Sequence, residues 1–304
     1  MKYINELLHS KVESEYLVDK KHDAWHWAMP LGPYETLLTD FFGVPCKGFV
    51  PRVAPVKQSP FAAIKNIVAI GAGKGGVGKT TITMHLARGL QAMGARVGVL
   101  DADIYGPNIM DVFNIDHQQA AIKDQRYLPI LSDGIPTMSL SYLLDEHQPV
   151  LWRGPMLHKA LAQMLWHTQW GALDYLLIDL PPGTGDVWMT LSQKAPLSAS
   201  LLVTTEQRLA LKDTIKAQAA YEHLGIPVLG AIFNMTHTFC HNCSKKQEIY
   251  PCDSALLNQI KHHLYRMPLG ELSSFETPLA IEFLVSMAAL PRWNKPILPS
   301  LVVE

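Results

Sequence analysis

The sequence predicts an α/β fold, a mostly parallel sheet with helices on both faces, and two observations lead to this class. From residue 65 onward, short continuous apolar segments alternate with amphipathic segments of helical spacing. Such strands, joined by helices, are typical of a parallel sheet covered on both sides. A glycine-rich segment also separates the first of these strands from the helix after it. Ligands of such sheets bind beyond the carboxyl ends of the strands, so polar residues at those ends point to function.

The individual elements follow from the hydrophobic pattern. A helix is expected over 80–93, where apolar residues recur at helical spacing and Gly94 follows as a stop signal. A second helix is expected over 210–224. Strands are expected at the continuously apolar segments 66–70, 96–100, 175–178, 200–203 and 228–233.

Composition narrows the classes of protein that fit. The chain has 304 residues, of which 48% are hydrophobic and 17% charged, enough for a large buried core. With 26 Lys plus Arg against 27 Asp plus Glu, the net charge of -1 argues against a global attraction to nucleic acid or to anionic membranes. The 4 cysteines are too few for a disulfide-framework secreted protein.

The chain is expected to divide near residue 60 and to be cytoplasmic. Residues 1–60 are rich in aromatic residues and histidine, and prolines interrupt 51–60, which predicts a small N-terminal segment and a linker. Residues 61–304 are expected to form the larger α/β domain, with a cysteine-containing insert near 240–252. No apolar run approaches the ~20 residues that span a bilayer, and the first residues lack the apolar core of a signal peptide.

A phosphate-binding loop is predicted at residues 73–80, which match G-x-x-x-x-G-K-S/T between a strand and a helix. Glycines let backbone N–H groups converge on phosphate oxygens, and the helix that follows adds its positive dipole end. Lys79 is expected to reach the β- and γ-phosphates, and the Thr80 hydroxyl to bind Mg²⁺. The residues expected to contact ATP here are Gly73, Lys74, Gly75, Gly76, Val77, Gly78, Lys79, Thr80 and Thr81.

Acidic residues end two of the predicted strands. Asp179 closes the strand 175–178 and is placed to hold Mg²⁺ as the Walker B carboxylate, although an aspartate at a strand end also serves as a cap or turn former. Asp101 and Asp103 follow the strand 96–100 and are expected beside the same nucleotide. The expected Mg²⁺ site therefore includes Thr80 and Asp179.

Longer motifs add a family resemblance. With Lys74 early in the loop, G-K-G-G-V-G-K-T resembles the deviant Walker A motif of the MinD/ParA/Mrp class of P-loop ATPases. The segment 100–108 resembles L-D-A-D-I-Y-G-P-S of the Mrp/ApbC family, 152–156 matches its W-R-G-P-M, and 174–186 its D-Y-L-x-I-D-x-P-P-G-T-G-D. Across 65–290, the chain therefore resembles the Mrp/ApbC-type iron–sulfur cluster carrier ATPases.

The resemblance implies roles for individual residues. Lys74 reaches across an ATP-dependent sandwich dimer to the partner's nucleotide, with added local positive charge as the alternative. With Lys74 and Lys79, Asp103 forms the catalytic set by orienting the attacking water, while Asp101 supports the metal or the loop. Residues 183–186 occupy the switch II position. Asn234 matches the class asparagine that reads the adenine edge, or it is a turn or cap residue after the last strand.

A thiol pair, Cys240 and Cys243, has C-x-x-C spacing and supplies two of the four ligands that a [4Fe–4S] cluster takes. A two-fold dimer supplies the other two, and the resemblance implies a cluster bridging the subunits. The family pattern is C-P-x-C-G, whereas this chain has His241 in place of the proline and Ser244 in place of the glycine. It also has Glu206 where T-T-P-Q has proline.

Three alternatives remain for these thiols. One is a structural zinc site formed with His237 and Cys252. The others are a thioredoxin-type redox dithiol and thiols without a ligand role. Cys252 is either an auxiliary ligand or inert, and Cys46 is interpreted as structural.

The expected function is that of an ATP-dependent iron–sulfur cluster carrier, a slowly hydrolysing homodimer that passes its cluster to apoproteins. No nucleic acid or membrane partner is expected. The alternative is a MinD/ParA-type ATPase that positions cargo on membrane or DNA, which needs a basic amphipathic tail or surface. Residues 299–304 offer neither. A metabolic kinase with the same P-loop is a third hypothesis.

Overall fold

The structure, a computed structural model, describes residues 18–20, 24–50, 61–103, 106, 109–113, 115, 118–143, 154–183, 185–240, 242–251, 253–270, 272–288 and 290. The linker predicted over 51–60 lies outside these residues. So do Thr184, His241 and Cys252.

The strands, in chain order, are β1 (Val18–Lys20), β2 (Trp25–Trp27), β3 (Cys46–Gly48), β4 (Ile64–Gly71), β5 (Val97–Asp101), β6 (Ile122–Lys123), β7 (Arg126–Tyr127), β8 (Ile130–Ser132), β9 (Ile135–Met138), β10 (Leu173–Asp179), β11 (Ala199–Thr204), β12 (Val228–Phe239), β13 (Lys246–Glu248) and β14 (His263–Pro268). The helices are α1 (Tyr34–Phe42), α2 (Lys79–Ala92), α3 (Ile109–Phe113), α4 (Gly154–His167), α5 (Asp186–Lys194), α6 (Arg208–His223), α7 (Ser254–Leu257) and α8 (Glu276–Ala288).

A nine-stranded, mostly parallel sheet forms the centre of the molecule, in the order β13-β12-β11-β4-β10-β5-β9-β8, with β14 also paired to β12. Every residue of β5, β10 and β11 is buried, as expected for strands covered on both faces. The parallel register places Asp179 beside Ile70 on one side and beside Asp101 on the other. The predicted fold class is therefore confirmed, and the sheet brings the phosphate loop and both strand-end carboxylates to one edge.

The structure differs from the sequence prediction at the end of the sheet. The predicted strand 228–233 continues as β12 to Phe239, so Asn234 lies inside a strand and not at its end. The pattern missed β13 and β14 because β13 is exposed throughout and most of β14 is exposed or half-buried. A strand without a buried face carries no period-two hydrophobic signal.

Residues within 27–50 pack onto the same hydrophobic core. Trp27, Leu38 and Cys46 are buried within it. Gly32 lies against the end of α2, where a Cβ would stand 2.7 Å from the carbonyl oxygen of Met93. Glycine is needed at this close approach, because any side chain would collide with backbone.

Helix α2 is fixed along its length by α8. The His85 Nδ1 and Glu276 Oε1 atoms are 2.8 Å apart, and Gly89 lies directly against the backbone of Glu276. Within the described ranges, no helix is long and apolar enough to cross a membrane.

Candidate nucleotide and thiol sites

The phosphate loop connects β4 to α2 and presents its backbone at the surface. Gly76 and Gly78 have φ angles of 77° and 79°, in the left-handed region that favours glycine. Gly73 is packed against α6, where a Cβ would stand 2.3 Å from the carbonyl carbon of Asp213. At Gly76, by contrast, a Cβ would meet none of the described atoms within 4 Å. The phosphate loop is thus fixed at Gly73, while the backbone at Gly76 is accessible to a ligand, as phosphate binding by backbone N–H groups requires.

Lys79 brings a buried positive charge to this loop. Its side chain is 7% exposed, and Nζ lies 2.9 Å from Asp179 Oδ2 and 3.8 Å from Asp103 Oδ2. These are ion pairs, but Nζ meets no acceptor with hydrogen-bond geometry in the described part of the chain. A buried ammonium with unused donors is costly unless a ligand supplies acceptors. The site therefore suits an anion such as a phosphate group.

Asp179 is anchored by two hydroxyls of α2. Its carboxylate accepts a 2.6 Å hydrogen bond from Thr80 Oγ1 and a 2.9 Å bond from Thr83 Oγ1. Carboxylate and hydroxyl oxygens are ligands that suit Mg²⁺, so Thr80 and Asp179 fit a magnesium site. The sequence analysis missed Thr83, although its position three residues after Thr80 places both hydroxyls on one helix face.

Asp101 is 1% exposed beside Asp179 on the neighbouring strand. It accepts hydrogen bonds from the Asp103 N–H (3.0 Å) and from Ser139 Oγ (3.1 Å). Burial raises the pKa of Asp101 to about 8, and the Asp179 charge adds to this, while the Asp103 N–H and Lys79 oppose it. Without a bound cation, Asp101 therefore keeps its proton at neutral pH. Ser139 was missed because it follows β9, a strand that the sequence did not reveal.

The segment after Asp179 lies on the phosphate loop. The Gly183 N–H donates a 2.8 Å hydrogen bond to the Ala72 carbonyl oxygen, and Pro182 stands 3.8 Å from the position of a Cβ on Gly75. Gly183, the first residue of the predicted switch II segment, is thus hydrogen-bonded to the residue that precedes the loop, and Pro182 before it lies near Gly75.

Asn234 fastens the phosphate loop to the sheet. It is buried, its Nδ2 donates a 2.9 Å hydrogen bond to the Val77 carbonyl oxygen, and its Oδ1 accepts a 3.0 Å bond from the Met235 N–H. The adenine contact predicted for this side chain stays a prediction. Lys74 is half-buried within the loop, and Thr81 is half-buried in the first turn of α2.

The two thiols lie at the tip of a β-hairpin. The end of β12 pairs antiparallel with β13, from His237 opposite Glu248 to Phe239 opposite Lys246. The turn is closed by the Cys240 N–H, which donates to the Lys245 carbonyl oxygen (3.0 Å), and by the Ser244 N–H, which donates to the Cys240 carbonyl oxygen (2.8 Å). Residues 240–245, with the two paired strand ends, are called the thiol hairpin below.

The thiol hairpin favours a thiolate. The pKa of Cys240 is lowered because the N–H groups of Asn242 and Cys243 point at its sulfur. Cys240 is half-buried and Cys243 is exposed. Thiolate is the form that binds metals, so this hairpin is suited to a soft metal centre.

The hairpin offers two ligands and not a complete site. No group of three or more His, Cys, Asp or Glu side chains is placed to hold a metal ion in the described portion of the chain. His237 turns Nδ1 to Thr236 Oγ1 at 2.7 Å, and burial lowers the pKa of its imidazole. The zinc site predicted as an alternative is thus not assembled by the described residues. Its fourth member, Cys252, lies outside them.

Comparison with known families and proteins shows which proteins this chain is similar to. Residues 63–274 match the ParA family model described as NUBPL iron-transfer P-loop NTPase. A protein of Pseudomonas fragi named iron-sulfur cluster carrier protein is 46% identical over 202 residues, which cover 66% of this chain and 70% of that protein.

Two further comparisons extend the match. A protein of the same name from Escherichia coli strain K12 is 43% identical over 219 residues, 70% of this chain but only 59% of that protein, so less than two thirds of its length is represented. A solved nucleotide-binding protein from Archaeoglobus fulgidus, in complex with ADP, has a TM-score of 0.61 and 31% identity, and the match covers 76% of this chain and 94% of that one.

Proposed function

The chain belongs to the NUBPL iron-transfer P-loop NTPase family, and on that premise we propose that it is an ATP-dependent iron–sulfur cluster carrier. In this proposal two copies of the chain hold one cluster between them and pass it to client apoproteins. ATP binding and slow hydrolysis change how the two copies fit together.

The observation that carries the proposal is the incomplete thiol site. Cys240 and Cys243 stand together on an exposed hairpin tip, and the described residues add no third ligand. A cluster of the [4Fe–4S] type takes four thiolates, twice what one hairpin supplies. A second copy related by a two-fold axis contributes an identical pair, so a homodimer completes the site without any further protein.

The nucleotide site supports the ATP-dependent part of the proposal. The open backbone around Gly75 and Gly76, together with Lys79, would hold the triphosphate of ATP, with Thr81 close by in the first turn of α2. Thr80 and Asp179 would hold Mg²⁺, and Asp101 would support them from the neighbouring strand. Bound there, Mg²⁺ would supply positive charge to the phosphates.

Hydrolysis is assigned to residues around Lys79. Asp103, whose carboxylate is 3.8 Å from Lys79 Nζ, would orient the attacking water. Lys74 would reach the nucleotide of the partner copy, which makes hydrolysis depend on dimer formation. Because this step needs both copies, ATP turnover and the geometry of the shared cluster are linked.

Anaerobic reconstitution with iron and sulfide tests the proposal. We expect broad visible absorption and one cluster per two chains, lost in Cys240→Ala and Cys243→Ala but kept in Cys46→Ala, whose thiol is buried away in the N-terminal segment. Co-sedimentation with liposomes or DNA in the presence of ATP is expected to be negative. A colourless wild-type protein, or a Cys240→Ala variant with undiminished cluster content, would overturn the carrier proposal.

A further inference from the structure

One arginine joins the thiol hairpin to the loop that follows β11. Arg266, on β14, places Nη2 2.8 Å from Glu206 Oε2 and 3.0 Å from Glu248 Oε2. Glu206 lies between β11 and α6, and Glu248 lies on β13, the returning strand of the hairpin. The guanidinium of Arg266 therefore connects the loop after β11 to β13, two segments that are distant from each other in the sequence.

Burial indicates that the ion pair of Arg266 with Glu206 is stronger than its ion pair with Glu248, called the exposed arm below. The Glu206 side chain is 6% exposed, whereas Arg266 and Glu248 are 46% and 47% exposed. A buried carboxylate is costly unless it is paired, so Glu206 holds Arg266 firmly. The exposed arm to Glu248 is weaker by itself, but Arg266 is already ordered by Glu206 and loses little further freedom in making it.

Neighbouring contacts run between the same two segments. Gln207 Nε2 donates a 3.1 Å hydrogen bond to Tyr250 Oη, and Arg208 Nε lies 3.6 Å from Asp253 Oδ2. Both partners follow the thiol hairpin in the chain. Gln207 and Arg208 thus contact the continuation of the hairpin directly, and Glu206 is linked to the hairpin itself through Arg266.

The same loop is tied to the phosphate site on its other side. Thr214 of α6 donates a 2.8 Å hydrogen bond from Oγ1 to Thr204 Oγ1, at the end of β11. Gly73 of the phosphate loop packs directly against the backbone of Asp213 and Thr214. The loop that contacts the hairpin therefore leads into a helix, α6, that packs against the phosphate loop.

We propose that Arg266 is a positioning residue for the thiol pair, because it fixes the returning strand of the hairpin to the 206–208 loop. The inference deepens the proposed function, since it assumes that Cys240 and Cys243 bind a metal centre. Without Arg266 the hairpin keeps the backbone pairing of β12 with β13 and the hydrogen bonds that close its turn, but β13 loses its side-chain link to the buried Glu206. The tip that carries the two sulfurs is then held less firmly, and a metal ion must order it on binding.

A titration with Co²⁺ alone, without iron or sulfide, tests this. Absorption from thiolate-to-Co²⁺ charge transfer reports directly on binding by the cysteines. We expect Arg266→Gln to weaken Co²⁺ binding by about tenfold, the scale typical of lost supporting contacts around a metal site. The Co²⁺ affinity of Arg266→Lys should lie between those of the wild type and Arg266→Gln, since a compact ammonium keeps the charge but not the planar guanidinium group. The matched control is Lys261→Gln, which removes an exposed ion pair with Glu222 and should leave Co²⁺ binding unchanged.

The variant Glu248→Gln keeps the inference testable if Arg266→Gln fails to fold. It removes the charge of the exposed arm and of the ion pair between Glu248 and Lys246, but it leaves Glu206 paired with Arg266. It should therefore fold even if Arg266→Gln does not, and it should weaken Co²⁺ binding in the same direction. Equal affinities for the wild type, Glu248→Gln and folded Arg266→Gln would overturn the inference, as would a wild-type protein that shows no Co²⁺–thiolate band. Failure of the carrier proposal looks different: Co²⁺ binds and depends on Arg266, but no iron–sulfur cluster assembles.

Discussion

The side-chain amide of Asn234 is hydrogen-bonded to the carbonyl oxygen of Val77, 2.9 Å away, and so ties the phosphate loop to β12. The same strand continues to Phe239 and leads into the thiol hairpin. At about 3.3 Å per residue, roughly 20 Å of strand separates this bond from Cys240. One strand of the central sheet, irregular at Met235 where φ is 54°, therefore connects the proposed ATP site to the proposed cluster site.

Asn234→Ala is expected to weaken binding of both ATP and inorganic triphosphate. The variant leaves the buried Val77 carbonyl without its donor, at a cost of about 1–3 kcal/mol to the ordered loop. Isothermal titration calorimetry with the two ligands measures the effect. A loss for ATP beyond the loss for triphosphate would report the predicted adenine contact. Unchanged triphosphate binding would show that the bond to Val77 does not order the loop.

Lys79→Ala is expected to weaken ATP binding about 10–100-fold, since a charge-assisted hydrogen bond contributes roughly 1.5–3 kcal/mol. Fluorescent-nucleotide titration measures the change. Lys216→Ala is the matched control, because this lysine is 77% exposed and pairs only with the Asp213 side chain among the described ion pairs. Equal losses in the two variants would mean that Lys79 acts only through the general charge of the region.

Asp103→Ala is expected to bind ATP and to hydrolyse it at least tenfold more slowly, because the proposed role of its carboxylate is to orient the attacking water. Binding by calorimetry and phosphate release under saturating ATP separate the two effects. Asp133→Ala, which removes an exposed carboxylate paired with Arg88, serves as the control. A parallel fall in affinity and turnover would contradict the assignment.

The elevated pKa of Asp101 predicts a pH dependence of stability. The folded metal-free protein keeps this proton up to about pH 8, whereas the unfolded chain releases it near pH 4. Between these values the folded state binds the extra proton, so its free energy of unfolding falls as pH rises, by at most about 1.4 kcal/mol per pH unit. In Asp101→Asn the side chain at this position cannot titrate, so the free energy of unfolding lacks this decline with pH.

Urea unfolding in EDTA at pH 5, 6.5 and 8 measures the free energies of unfolding of the wild type and of Asp101→Asn. The stability of Asp101→Asn relative to the wild type should increase across this range. Parallel pH profiles of the two proteins would show that Asp101 is ionised in the folded state.

The sequence was informative where hydrophobic pattern and spacing coincide. The five predicted strand segments at the centre of the sheet are mainly apolar because both faces are covered, and the loop motif locates Lys79 and Thr80 without any structure. Asp179 was expected beside the nucleotide because parallel strands end at one edge, and the structure places it 2.9 Å from Lys79 Nζ.

Contacts between distant segments were not accessible from the sequence. Ser139 reaches Asp101 through β9, and Arg266 reaches Glu206 through β14, and neither strand has a strong pattern of its own. The position of Asn234 was misjudged because polar residues interrupt β12 where it passes the phosphate loop. The thiol hairpin depends on pairing with the exposed strand β13, which leaves no hydrophobic signal.

Native mass spectrometry of the anaerobically reconstituted protein, with ATP and Mg²⁺ present, tests the shared-cluster claim most directly. The account predicts a dimer that carries the added mass of one [4Fe–4S] cluster, and a Cys243→Ser protein that carries none. Single chains that each retain a cluster of their own would contradict it, because one hairpin would then be sufficient.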